Sequence, residues 1–301
     1  MALRSPDVNV LTITTVAGNV NVAQATSNAL YTAELCGSGV PVYQGAAKPL
    51  VRPLEDATWF HGRDGLGDHG YPAPHKTAQP GDAIDAIIAT IERHPGLELV
   101  TLGPLTNIAL TLAKKPGIAA SVSRCVIMGG APCSVGNVTP AAEYNFWTDP
   151  EAARVVLRSE LPVDLIGWHL CRGEAVLNEG DINRILALDT GLARFAIDCN
   201  ARARCAYREQ TGENGISLPD PVAMSIALDP SIGTSWSRHY VDVETTGELT
   251  RGMSVVDRLN VAANRRNRQI WSHFLNREPR TNICWTMDVP RWKSALLRAL
   301  E

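Results

Sequence analysis

The sequence is poor in the features that would place it in several broad classes. Its seven cysteines are odd in number and include no C-x-x-C pair, which argues against a disulfide framework or a structural zinc site. No apolar run reaches the roughly eighteen residues that a membrane-crossing helix needs. A formal charge of -3 over 301 residues leaves no electrostatic footprint for nucleic acid or an anionic membrane. The short basic run Arg265-Arg266-Asn267-Arg268 reads as a solvated turn. The segment HGRDGLGDHG has glycines at 62, 65, 67 and 70, yet it lacks the lysine of a phosphate loop and no strand runs into it. His61, His69 and His75 share no helix and lack the ordered spacing of a zinc cluster. These absences leave a small neutral or polar molecule as the ligand class and a reducing, cytoplasmic setting as the expected compartment.

What is present fits one α/β domain spanning residues 1–301. Hydrophobic residues make up 45% and charged residues 20% of the chain, enough to bury a large core. Strand-like and helical runs alternate over the first two thirds, the pattern of an open, mostly parallel sheet with helices on both faces, a Rossmann-like arrangement. Strands are expected at 8–15, 40–43, 97–102, 124–128, 163–167, 239–245 and 254–261. Helices are expected at 21–35, 82–94, 105–113, from Pro150 onward, at 178–188, at 191–210, from Asp220-Pro221, and from about 290. The helix starts are well marked: Asp82 stands at an N-cap, and Asp149-Pro150-Glu151 combines a cap, a first-turn proline and a first-turn acid. Between 45 and 81 lies a long stretch rich in Gly, Pro, Asp and His without periodicity, and loops of that length are usually functional.

In such sheets ligands bind beyond the carboxyl ends of the strands. The residues found there are rich in amides: Asn19, the G-P-L-T-N turn after residue 102, Gly129-Gly130 followed by Asn137, Glu143 and Asn145, then Trp168 and His169. A single loop asparagine usually caps or turns the backbone. Several amides and a carboxylate on one rim suit a ligand with neighbouring hydroxyls, because each amide both donates and accepts while a carboxylate accepts twice. A sugar meets that description.

The stretches TTVAGN (14–19), VPVYQGAAKPL (40–50), HGRDGLG (61–67), LGPLTNIA (102–109), MGG (128–130), VGNVTPAAEYNFWTDPEAA (135–153), DPVA (220–223) and TRGMSVVD (250–257) resemble, in order and spacing, the inosine-uridine nucleoside hydrolases. The resemblance covers nearly the whole chain. It implies hydrolysis of the N-glycosidic bond of ribonucleosides, a place in purine and pyrimidine salvage, a calcium ion at the pocket floor, and a homodimer or homotetramer. By the same resemblance Asn19, Met128, Asn137, Glu143 and Asn145 bind the ribose, with His169 a further candidate. Asp220 and the main-chain carbonyl of Leu102 ligate the metal, and His61 is a candidate acid. Calcium takes hard oxygen ligands and can hold both a water and a sugar diol.

Two departures accompany the resemblance. The family's opening D-x-D-x-x-x-D-D motif, which supplies most calcium carboxylates and the general base, does not occur in this sequence. The expectation is therefore a domain truncated at its amino terminus relative to the family, with the first strand missing, the ligand set incomplete and activity impaired as written. Secondly, Pro219 stands where purine-cleaving members often carry a histidine that protonates the leaving base, and proline has no proton to give. The alternative reading is a non-catalytic member that retains ribose binding.

Overall fold

Branched aliphatic side chains in the central runs of the chain fill both faces of a buried sheet. The computed structural model describes residues 1–270 and 279–301. In chain order the strands are β1 (Ile13–Thr14), β2 (Val42–Tyr43), β3 (Leu97–Thr101), β4 (Val122–Met128), β5 (Val163–Ile166), β6 (Gly233–His239), β7 (Val241–Val243), β8 (Ser254–Val256) and β9 (Thr281–Met287). The helices are α1 (Val22–Leu35), α2 (Thr58–His61), α3 (Ala83–Arg93), α4 (Thr106–Lys114), α5 (Tyr144–Thr148), α6 (Pro150–Leu157), α7 (Glu179–Leu186), α8 (Gly191–Asp198), α9 (Ala201–Thr211), α10 (Pro219–Leu228), α11 (Arg265–Ile270) and α12 (Val289–Leu300).

The main sheet runs β3-β4-β5-β9-β6, with the first four strands parallel and β6 antiparallel at one edge. Successive side chains serve opposite faces, as strand geometry requires. Val126 and Ile166 join a core with Ile226 and Trp292 on one face, whereas their neighbours Ile127 and Leu165 join Ile108 and Val156 on the other. The expected caps form: the Asp82 side chain accepts from the N–H groups of Ile84 and Asp85, and Asp149 accepts from Ala152. No helix among the described residues is long and apolar enough to cross a membrane.

Several expected elements differ from what forms. The strand read at 8–15 shrinks to β1, which pairs in parallel with β2 in a separate two-stranded sheet. The single helix read at 191–210 divides into α8 and α9, because the Asn200 carboxamide donates to the Ala196 carbonyl and diverts the backbone there. The loop at 45–81 contains the one-turn helix α2. Strands β6 and β9 carry no expectation from the sequence: β6, at the sheet edge, is mostly polar (GTSWSRH), and β9, inside the sheet, mixes polar and apolar residues without a continuous apolar run (TNICWTM).

Candidate active site

The site lies at the carboxyl ends of β3, β4 and β5, and its pieces are set by short-range backbone chemistry. β4 ends at Met128, and Gly129-Gly130 follow where no side chain fits: a Cβ on either would approach the Phe146 ring to 2.5 and 2.8 Å respectively. Gly130 adopts a φ of 69°, the left-handed region that glycine tolerates. Its N–H then points at Glu143 and donates to Oε2 at 2.7 Å.

Glu143 caps α5. Its Oε1 accepts from the Asn145 N–H at 2.9 Å and its Oε2 also from the Phe146 N–H at 3.3 Å. Three of the four or so lone-pair directions of the carboxylate are thereby used, leaving about one for a ligand hydroxyl. Burial still pushes its pKa up to about 7, against the lowering effect of those three backbone donors. Asn145, one residue into α5, donates from Nδ2 to the carbonyls of Leu102 at 3.2 Å and Met128 at 3.1 Å, so its Oδ1 remains to accept.

Asn137 sits on a tight loop at Gly136, where a Cβ would meet the Ala142 carbonyl at 2.1 Å. The Asn137 Oδ1 accepts from the Tyr144 N–H at 2.9 Å, which leaves its amide hydrogens to donate. Asp220 opens α10 between Pro219 and Pro221. No group among the described residues donates to its carboxylate, and burial together with the Glu143 charge raises its pKa to about 7.

Asn19, His61, Leu102, Met128, Asn137, Glu143, Asn145 and Asp220 line one cavity of about 290 Å³, near the lower end of small-molecule pockets. His169 does not line it: its Nε2 donates to the Cys284 carbonyl at 2.9 Å. His69 packs against Tyr71, and His75 is a loop residue whose N–H donates to Glu34. His61 ends α2 against the Phe60 ring, and neither of its ring nitrogens has a hydrogen-bond partner among the described residues. Burial lowers its pKa to about 4, so it is neutral at pH 7.

The opposite wall comes from segments whose conformation the sequence left open. Trp59 and Phe60 face Asn200, Ala203, Tyr207 and Gln210 across the cavity mouth. The last four are spaced by three, four and three residues, one face of α9. That spacing was present in the sequence, but α9 is strongly polar and shows no apolar stripe to betray its inward side. Tyr207 donates its hydroxyl proton to Glu213 at 2.6 Å, and Gln210 donates to the Asn137 carbonyl at 2.8 Å.

The residues present do not make a calcium site by themselves. That ion takes about six to eight oxygens, whereas the cavity offers the Asp220 carboxylate and the Leu102 carbonyl, and the latter is already bonded to Asn145. Among the described residues no three His, Cys, Asp or Glu side chains come together as a metal group.

Comparison with known proteins gives one consistent outcome. The family model described as inosine-uridine preferring nucleoside hydrolase matches residues 1–294. An inosine-uridine preferring nucleoside hydrolase of Crithidia fasciculata is 35% identical over 100% of this chain and 92% of its own length. A pyrimidine-specific ribonucleoside hydrolase of Shewanella woodyi is 37% identical over 89% of this chain and 86% of its own. Among solved structures, a plant nucleoside hydrolase superposes with a TM-score of 0.91 at 29% identity, covering 99% of this chain and 92% of that one.

Proposed function

The chain belongs to the inosine-uridine preferring nucleoside hydrolase family, and from that premise we propose how its own residues serve the hydrolysis of a ribonucleoside to base and ribose. The observation that carries the reading is the convergence of Asn19, Asn137, Glu143, Asn145 and Asp220 on one cavity. Asn145 Oδ1 accepts from the 2',3'-diol, the amide hydrogens of Asn137 donate to the 5'-hydroxyl, and the remaining lone pair of Glu143 accepts from it. Met128 packs beneath the sugar at 2% exposure. Asn137, Glu143 and Asn145 are each fixed beforehand by backbone partners, so little ordering cost remains to be met at these three when the sugar binds. The base lies toward His61 and α9, between aromatic side chains.

Bond cleavage passes through an oxocarbenium-like sugar, as in other glycoside hydrolysis. The carboxyl groups of Glu143 and Asp220, which burial holds near pH 7, stabilise the developing positive charge in their ionised form. Calcium, which the resemblance implies, needs oxygen donors beyond the two in this cavity, and no step above depends on it. A salvage role, a cytoplasmic setting and a homodimer or homotetramer accompany the reading. Seven unpaired cysteines are consistent with a reducing compartment.

The test is ribose release from uridine, inosine and cytidine, set against their 2'-deoxy counterparts. Release from the ribonucleosides and at least a tenfold loss on removing the 2'-hydroxyl are expected. Equal rates on the deoxy series overturn the assignment of Asn145 to the diol.

A further inference from the structure

We propose that Tyr144 is a positioning residue: its hydroxyl ties the Gly18 and Glu55 carbonyls to α5, and so sets where Asn19 and α2 stand against Asn137, Glu143 and Asn145 when a ribonucleoside is held. The proposal rests on the reading of the cavity as a ribonucleoside hydrolase site.

Asn137, Glu143 and Asn145 have side chains anchored by nearby backbone groups. Asn19 differs. It lines the same cavity, yet its carboxamide has no hydrogen-bond partner among the described residues, so its placement depends on its main chain. Two bonds link that segment to the cavity's other walls. The Asn19 carbonyl accepts from the Ala57 N–H at 3.0 Å, and the preceding Gly18 carbonyl accepts from the Tyr144 hydroxyl at 2.9 Å. The same hydroxyl lies 2.9 Å from the Glu55 carbonyl, just ahead of α2, which brings Trp59, Phe60 and His61 to the cavity. These contacts close a triangle: Tyr144 holds two corners from α5, and the Ala57 to Asn19 bond joins the corners to each other. Loss of the hydroxyl opens two sides and leaves the third. Segments 18–19 and 55–61 then stay linked together but lose their register against α5.

The main chain of Tyr144 serves the other end of the cavity, where its N–H donates to the Asn137 Oδ1 at 2.9 Å. One residue thus fixes one asparagine by its backbone and a second by its side chain. A further link from α5 to residue 55 is ionic. Arg251 lies 4.2 Å from the centre of the Trp147 ring and 3.6 Å from the Glu55 carboxylate. The Glu55 side chain is 59% exposed, and exposed ion pairs contribute little and weaken in salt. The Tyr144 hydroxyl has neither weakness. Burial pushes its pKa up to about 12, so near pH 7 it keeps the proton that it shares between the two carbonyls.

The experiment is a double-mutant cycle of Tyr144→Phe and Asn19→Ala on the purified chain, read by dissociation constants for uridine and inosine. Tyr144→Phe keeps the ring and removes only the bridging oxygen. Each single substitution is expected to weaken binding about fivefold, the scale of one net hydrogen bond. The double variant is expected to bind within about twofold of the weaker single, because Asn19 has little left to lose once its segment has lost register. Effects that multiply, or a Tyr144→Phe affinity equal to the parent's, overturn the proposal and leave the hydrolase reading standing. Amide hydrogen exchange reads the same tether without substrate. Residues 17–20 and 55–61 should exchange about fivefold faster in Tyr144→Phe while α3 and α12 stay as in the parent. Exchange unchanged at those residues, or raised across the whole fold, overturns the proposal. A parent chain that binds neither nucleoside and releases ribose from neither refutes the hydrolase reading instead, and the exchange comparison then decides the tether.

Discussion

Asn145 Nδ2 lies 3.2 Å from the Leu102 carbonyl and donates to it, tying the cavity-lining amide of α5 to the end of β3. The same atom reaches the Met128 carbonyl at the end of β4. One carboxamide thus spans two neighbouring strands and fixes where its own oxygen points.

Asn145→Ala takes a donor from the buried Met128 carbonyl and the part-buried Leu102 carbonyl and removes the acceptor proposed for the diol. The expected cost is about 1–3 kcal/mol of stability in urea unfolding, together with at least a tenfold loss of ribonucleoside affinity. Stability within 0.5 kcal/mol of the parent, roughly the scale of a neutral surface change, would show that the carboxamide does not bridge the strands.

Gln210→Ala separates the two roles that Asn145 combines. The Gln210 bond to the Asn137 carbonyl is exposed, so melting should be nearly unchanged while nucleoside binding weakens several-fold as the Asn137 loop loosens. If affinity is unaltered and stability falls, the contact is merely a strut.

The expected architecture formed because its signals are local: capped helix starts such as Asp82 and Asp149, and strands apolar on both faces such as Cys125–Met128. That Asn137, Glu143 and Asn145 would share one cavity was legible for a related reason, since they and Gly136 fall within ten residues and are organised by their own backbone. The wall formed by α2 and α9 was not. It requires α2, a single turn, to pack on the polar α9, a long-range contact that no periodicity announces, and the position of Tyr207 depends on a partner, Glu213, beyond the helix end.

Acid should destabilise the fold through His61. Its folded pKa, about 4, lies below its ordinary value of 6.5, so as pH falls the unfolded chain takes the proton first. The contribution is fully present above about pH 6.5 and is lost down to about pH 4, with an upper magnitude of about 3 kcal/mol. The difference in melting temperature between the parent and His61→Phe should therefore vary across that window, and a constant difference would exclude the effect.

Calcium titration of the chain should show binding no tighter than about millimolar, the range of sites with few charged ligands, and Asp220→Ala should abolish even that. Submicromolar affinity, or affinity unchanged in the variant, would mean that oxygens other than Asp220 and Leu102 assemble around the ion.

The Phe146 ring, wholly buried, stands where side chains at 129 and 130 would otherwise be. Those two positions are consequently not free to vary by themselves: an alanine at 130 must both enter a left-handed backbone and displace an aromatic ring sixteen residues ahead. The glycine pair, the phenylalanine and Ser254, whose Oγ a Cβ at 130 would meet at 2.4 Å, form one unit split across the chain, and a protein redesigned at this rim would have to exchange them together.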